Sequence, residues 1–504
     1  MGTTEATSES RPLDRMLRAL GGIERLGNRL PHPFWLFVIL SAVLGLASWG
    51  LAAAGVSAVN PATSKTVAVK NLLSADGVRM MVGDAIENFT SFPPLGTILV
   101  VMLGVAVAER SGLLAAVLRS GVSKVSPRWV TFVLAFTGMV AHVASDAAYV
   151  VLIPLGALAF RAVGRSPVLG VVVAFVSVSA GYDASPLVTP VDAILSGLTT
   201  AAAHTVDPAY VVTPLANYFF SLASSLVLAA TITLVTEKLL ARRAEALPAD
   251  EDAEALKDDL GELALRPEER RGLRAALVTL VVFVAAVVLA VLPSGSPLLT
   301  SIAVFLALAF LAVGWAYGRA AGTVTSGRDV PAFMAHGMRE LAPILVLFFA
   351  ISQFLAYFKW TGIGEVIAID GAGLLKSAGV TGPVVFLGIL VVVTVINLVV
   401  TSGSAQWALV GPVFVPMLML LDIPPEYTQA LYRIADSCTN AITPMSPYFV
   451  MALGFLQRYR RSAGIGTLAS MTIPLSLTLL VVWTVLFFVF WWLGVPLGPG
   501  APVR

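Results

Sequence analysis

The chain reads as an all-α integral membrane protein: nine transmembrane helices and two re-entrant hairpins, arranged as an inverted repeat of two halves. Three observations predict this. Of 504 residues, 57% are hydrophobic and only 12% charged, with mean hydropathy +0.87; a soluble domain carries about 25% charged residues. Apolar runs near the ~20 residues needed to cross a bilayer recur along the chain. Each half also breaks one of its runs with a polar phrase built around Thr-Pro, at Thr189-Pro190 and Thr443-Pro444.

Residues 1–32 are polar and arginine-bearing, without the short apolar core and cleavage site of a signal peptide, and are expected to form a cytoplasmic tail. The first half, 33–236, begins with the charge-free run Phe34–Gly55. Leu95–Ala108 continues past Glu109-Arg110 into Leu113–Leu118. Trp129–Phe160 is interrupted by His142 and Ser145-Asp146, and Val168–Ala203 is interrupted from Gly181 to Pro190. Tyr210–Val235 closes the half. Residues 237–273 are highly charged and read as a cytoplasmic linker.

The second half, 274–493, offers Ala275–Leu292, Leu298–Tyr317 and Leu341–Phe358, then a short interfacial stretch, Gly362–Ser377. Val380–Leu421 is broken at Thr401–Gln406 and Tyr427–Leu456 at Thr443–Pro447. Leu468–Leu493 and an external tail, 494–504, complete the chain.

Positive charge orients these pieces, because Lys and Arg accumulate on the cytoplasmic side. Arg119, Lys124 and Arg128 precede Trp129–Phe160, and Arg161 and Arg165 follow it. Both its ends lie inside, so the hairpin 129–161 enters and returns. Arg458, Arg460 and Arg461 place the end of Tyr427–Leu456 inside, which makes 380–421 a second hairpin, entering from outside.

The phrase Ser185 to Asp192 aligns with Thr439 to Ser446 at hydroxyl, branched residue and Thr-Pro. Each follows a hairpin with a serine-bearing tip. Matching interruptions in two oppositely oriented halves point to a transporter binding site. Backbone groups freed by proline and glycine would cost several kcal/mol each in lipid, so they must face protein, water, ions or substrate.

Arg433 and Asp436 are three apart and able to pair on one helical face; they serve either as a structural ion pair or as site residues. Asp192 fits a helix start, with Thr189 as N-cap and Pro190 at N1, and equally fits a functional acid; Asp183 is a turn acid or a site residue. Asp146 either caps the second arm of its hairpin or lines the pocket. Trp407 stacks on a ligand or packs in the core. Asn397 and Asn440 bridge helices or donate carbonyls to a cation. His142, near the first tip, is a proton shuttle or a satisfied buried histidine. One cysteine, Cys438, excludes a disulfide framework, and four scattered histidines argue against a metal site. No Walker motif or nucleotide-binding loop is present, so an ion gradient is the expected energy source: protons, or Na⁺.

Five phrases taken together are specific: "NFTSFPPLGTILVVMLGVAVAERSGLL" from Asn88, "SDAAYVVLIPL" from Ser145, "TPVDAILSGLT" from Thr189, "SGSAQW" from Ser402 and "YRIADSCTNAITPMSPYF" from Tyr432. On them the chain resembles the bacterial aminobenzoyl-glutamate transporter (AbgT-type) family over nearly its whole length. The resemblance implies a homodimer with nine transmembrane helices and two hairpins per subunit, and an inward-facing aqueous basin. It implies substrates built on p-aminobenzoate: p-aminobenzoyl-glutamate, p-aminobenzoate or sulfonamides. It places functional roles on Asp192, Ser404, Trp407, Pro425, Arg433, Asp436 and Pro444, raising Asp192 above Asp183. In "SAGYDASPLVTP" the chain departs from the family pattern by an extra acid, Asp183.

The expectation is therefore a multi-pass bacterial inner-membrane transporter, N-terminus in the cytoplasm, with no cofactor and no nucleic-acid partner, moving p-aminobenzoate-type aromatic carboxylates by proton-driven antiport or efflux. Alternatives are Na⁺-coupled uptake of a dicarboxylate-like solute, import of p-aminobenzoyl-glutamate, and, from another class, an intramembrane hydrolase using Ser404, His142 and Asp146.

Overall fold

The structure is a computed structural model of the chain and describes residues 31–59, 66–123, 125–144, 146–245, 249–250, 264–291, 301–380, 382–443 and 446–503. Most of the expected tail, residues 246–248 and 251–263 of the expected linker, the tip residue Ser145 and Pro444 lie outside the described residues.

Proline starts many of the helices. It needs no N–H in the first turn, and its fixed φ suits helix entry. It stands there in α1 (Pro33–Ala53), α2 (Pro93–Arg110), α6 (Pro167–Ser179), α7 (Pro190–Ala203), α9 (Pro267–Ala286), α13 (Pro383–Asn397), α15 (Pro425–Asn440) and α16 (Pro447–Gln457). The other principal helices are α3 (Leu113–Val122), α4 (Val130–Ala141), α5 (Ala147–Ala162), α8 (Tyr218–Val235), α10 (Ile302–Ala321), α11 (Asp329–Thr361), α12 (Ile363–Ser377), α14 (Gly403–Met419) and α17 (Ile465–Leu493). Gly322 and Gly494 end α10 and α17 in the left-handed conformation, at φ 84° and 63°.

Seven helices among the described residues are long and apolar enough to cross a membrane: Pro33–Ala53, Pro93–Arg110, Tyr218–Ala244, Pro267–Leu289, Ile302–Ala321, Asp329–Thr361 and Ile465–Leu493. The shorter apolar helices fall into pairs. α4 and α5 pack side by side, as do α13 and α14. After each of these pairs the chain runs through two helices separated by an unwound stretch: α6 then α7, and α15 then α16.

Several expected boundaries are corrected. Residues 237–245 and 267–273, read as linker, continue α8 and begin α9, because charged side chains do not stop a helix that is already nucleated. For the same reason α11 starts at Asp329 rather than Leu341. Residues 210–217, read as the start of a span, are not helical; Pro208 and Pro214 withhold donors and disfavour helical geometry before them. The chain is also not purely α: Ser57–Val59 pairs antiparallel with Thr66–Ala68.

α2 is the packing hub, touching α7, α10 and α11. Within a membrane, small residues let helix backbones approach closely. Gly104 on α2 lies against the Ala307 backbone of α10, and Gly314 on α10 against Ala108 of α2. Gly156 and Gly170 do the same between α5 and α6. A side chain at Gly104 would collide with backbone, which cannot swing aside. Gly104→Val is therefore expected to destabilise the detergent-solubilised protein by about 1–3 kcal/mol, read as a lowered thermal midpoint. Gly96→Val, on an open face of the same helix, should shift it far less.

Candidate functional site

The interruption between α6 and α7 and the helix α15 meet in the interior. α15 carries one polar stripe, Glu426, Gln429, Arg433, Asp436 and Asn440, at three- and four-residue spacing. Pro425, at the first turn, sets where that stripe begins. Arg433 faces the first half. Its Nη2 lies 2.8 Å from Asp192 Oδ1, and its Nη1 is 3.5 Å from Asp183 Oδ1. These side chains are sealed: residue exposure is 3% for Asp183, 8% for Asp192, 1% for Arg433 and 1% for Asp436.

Asp192 does two things at once. Its Oδ2 accepts from the Thr189 backbone N–H at 2.7 Å and from the Thr189 hydroxyl at 2.9 Å, closing a capping box at the start of α7. Its Oδ1 meets Arg433. The helix-cap reading therefore holds, and the same carboxylate also pairs with Arg433. Asp183 is more than a turn acid: besides its contact with Arg433, its backbone N–H donates to Ser437 Oγ at 3.2 Å, and its carbonyl accepts from Ser221 at 3.4 Å.

The expected Arg433–Asp436 pair does not form. Three residues of helix separate them, but the guanidinium turns to the two acids of the first half. Asp436 lies instead against the start of α14. A Cβ on Gly403 would stand 3.1 Å from Asp436 Oδ2. Both Asp436 carboxylate oxygens, Asp183 Oδ2 and Arg433 Nε are buried with no hydrogen-bond partner among the described residues. With one guanidinium against three carboxylates, the cluster is two formal negative charges in excess when all are ionised.

The unwound stretch 398–402 between α13 and α14 is tied to α15 by two side chains. Asn397 Nδ2 donates to the Asp436 carbonyl at 2.7 Å and also lies within 2.6 Å of Thr439 Oγ1 and 3.0 Å of Asn440 Oδ1. This is the helix-bridging role. The Tyr432 hydroxyl donates to the Gly403 carbonyl at 2.5 Å. Ser404, in the first turn of α14, is half-buried.

Trp407 does not present its ring to an open pocket. It is fully buried, lies 4.5 Å from Tyr432 ring to ring, and donates from Nε1 to Thr199 Oγ1 at 3.0 Å. Thr199 Oγ1 lies 2.6 Å from Gln429 Oε1. Gln429 Nε2 donates to Asn217 Oδ1 at 3.0 Å, and Asn217 Nδ2 donates to the Glu426 carbonyl at 3.0 Å. The Tyr210 hydroxyl reaches the Glu426 carboxylate at 3.0 and 3.2 Å. Thr199, Asn217, Gln429 and Tyr432 are the residues that sequence reasoning missed. Spacing was the available signal: Thr199 lies seven residues beyond Asp192 and Gln429 four before Arg433, on the same helical faces.

Two candidates belong to the first hairpin. Asp146 sits at the N-cap of α5, makes no capping bond and is exposed. His142 is buried edge-on to Tyr182, at 5.3 Å, and its Nε2 has no partner among the described residues. No hydrogen bond joins it to Ser404 or Asp146 among those residues, so the imagined hydrolytic triad is not assembled.

The model of the AbgT transporter family matches residues 18–504. The p-aminobenzoyl-glutamate transport protein of Escherichia coli (strain K12) is 38% identical over 493 residues, spanning 95% of this chain and 96% of that relative. Two solved structures share the fold at 41% identity. The YdaH transporter of Alcanivorax borkumensis has a TM-score of 0.87 and covers 93% of this chain and 100% of its own. MtrF of Neisseria gonorrhoeae, described within a class of antimetabolite efflux pumps, has a TM-score of 0.90 and covers 96% of this chain and 100% of its own. These relatives are transporters and not enzymes, which removes the hydrolase reading. With a buried ionic cluster held between unwound helices, and with this similarity over nearly its whole length, the chain belongs to the AbgT family of membrane transporters.

Proposed function

We propose that the chain moves p-aminobenzoate-type aromatic carboxylates, among them p-aminobenzoyl-glutamate, p-aminobenzoate and sulfonamides, out of the cell in exchange for protons. The observation that carries this reading is the surplus of buried carboxylates around Arg433. Each unneutralised charge sealed in the interior costs several kcal/mol, so the closed state needs protons or another cation to balance it.

The two acids facing Arg433 have different parts. Asp192 is fixed by its capping box, whereas Asp183 holds Arg433 only at 3.5 Å. A substrate carboxylate would take the place of Asp183 and use the free Arg433 Nε. Asp436, without hydrogen-bond partners and against the second hairpin, carries the coupled proton. Trp407 holds that hairpin to α7 and α15 rather than receiving the aromatic ring. Counting α6–α7 and α15–α16 each as one crossing gives nine crossings, with α4–α5 and α13–α14 as re-entrant hairpins of two inverted halves. The protein is read as a homodimer in a bacterial inner membrane, N-terminus in the cytoplasm. The relatives' described activities support the substrate class.

Na⁺-coupled uptake of a dicarboxylate-like solute is the second reading. One observation favours it: Asn397 Oδ1 and both Asp436 oxygens are buried without partners beside the unwound 398–402 stretch, a set of oxygens suited to a small cation.

In proteoliposomes loaded with p-aminobenzoate, an imposed pH gradient should drive flux in the wild type, and Asp436→Asn should lose at least roughly tenfold of it, because its side chain cannot ionise. Equal flux in the two proteins removes Asp436 from coupling. Arg433→Lys should also lower flux roughly tenfold or more, since one ammonium cannot serve two carboxylates in that geometry. Replacing Na⁺ by choline should leave pH-driven flux unchanged; strict Na⁺ dependence would favour the second reading.

A further inference from the structure

A cavity of about 680 Å3 lies between the α9–α10 pair and the first half, away from the ionic cluster. Leu114 and Leu118 of α3, Leu277 and Leu280 of α9, Phe310 of α10, and Leu187 in the α6–α7 interruption line it. Apart from the Tyr218 hydroxyl, the lining side chains are hydrocarbon. An aromatic carboxylate would find no partner there. Water is equally unsuited, because apolar cavities stay dry. The volume falls within the ~300–1,000 Å3 of ligand-binding cavities.

The surroundings identify the occupant. α9 is long and apolar enough to cross the membrane and buries Gly272 and Ala276, so most of its length lies on the outer face of the subunit, where lipid would meet it. Leu187, Leu277 and Leu280 line the cavity and are also exposed, so it opens toward that lipid. The lining stripe of α9 extends back at helical spacing to Arg270 and Arg266, both exposed at its cytoplasmic end. The neighbouring acids are taken: Glu269 pairs with Arg119 at 2.5 Å and Glu268 with Arg271 at 3.4 Å. Among the described residues, neither Arg266 nor Arg270 has an ion-pair partner. A hydrocarbon slot continued by two exposed cations matches a molecule with an apolar tail and an anionic head.

We propose that this cavity binds an acyl chain of an anionic phospholipid, with Arg266 and Arg270 holding its phosphate. The chain end rests on Leu187 and Val188, between Asp183 and Asp192. Lipid occupancy thereby braces the unwound stretch that presents both acids to Arg433.

The test is native mass spectrometry of the full-length protein, purified in mild detergent and titrated with palmitoyl-oleoyl phosphatidylglycerol or phosphatidylethanolamine. The wild type should retain phosphatidylglycerol preferentially. Leu280→Trp, which fills the slot, should abolish retention; Val284→Trp serves if that variant does not purify. The double variant R266Q/R270Q should weaken phosphatidylglycerol binding roughly 30-fold, about 2 kcal/mol, and phosphatidylethanolamine binding much less, because that lipid's ammonium already offsets its phosphate charge. Equal retention by the tryptophan variant and the wild type overturns the proposal. So does equal binding of the two lipids by the wild type. A disulfide-linked dimer of Leu280→Cys would also overturn it, by showing a second copy of the chain seated there.

Discussion

A guanidinium sealed inside a membrane bundle survives only where carboxylates meet it. Arg433 satisfies that condition by reaching across to Asp192 and Asp183, on the opposite half of the chain. Much of the interior geometry follows from this contact. The first half must unwind between α6 and α7 to bring both acids within reach, and α15 must lie alongside α7 to deliver the arginine. The capping box on Asp192 makes one carboxylate both a helix start and an ion-pair partner, so the fold and the charge cluster stabilise each other.

The same economy recurs around the second hairpin. Asn397 ends α13 while binding the carbonyl of Asp436. Trp407 begins a buried hydrogen-bonded path through Thr199, Gln429 and Asn217 to the backbone of Glu426. Both unwound regions are thereby joined to α15, and a displacement of that helix would be felt by each. The close helix contacts made through Gly104, Gly314 and Gly156 lie in the surrounding scaffold.

Much of this was legible in the chain. Apolar runs located the long spans, and Thr189-Pro190 with Asp192 announced the α7 cap. Charges inside apolar segments singled out Arg433, Asp436, Asp183 and Asp192, because lipid tolerates none of them idly. Other features were obscured by local pattern. Residues 210–217 are apolar yet unwound, since prolines override hydropathy. The helical ends of the charged stretch were hidden because charge marks solvent exposure and not loss of helix.

By itself, the sequence determined that the protein is a membrane transporter with two interrupted halves, and which ionisable residues lie within it. Tertiary structure decided how those residues are matched. The i, i+3 spacing made Asp436 the natural partner of Arg433, but the partners that the arginine met lie 241 and 250 residues away. Spacing along a helix states only which groups can meet on one face. Which charge neutralises which is settled by the elements packed against that face, and no local pattern encodes them.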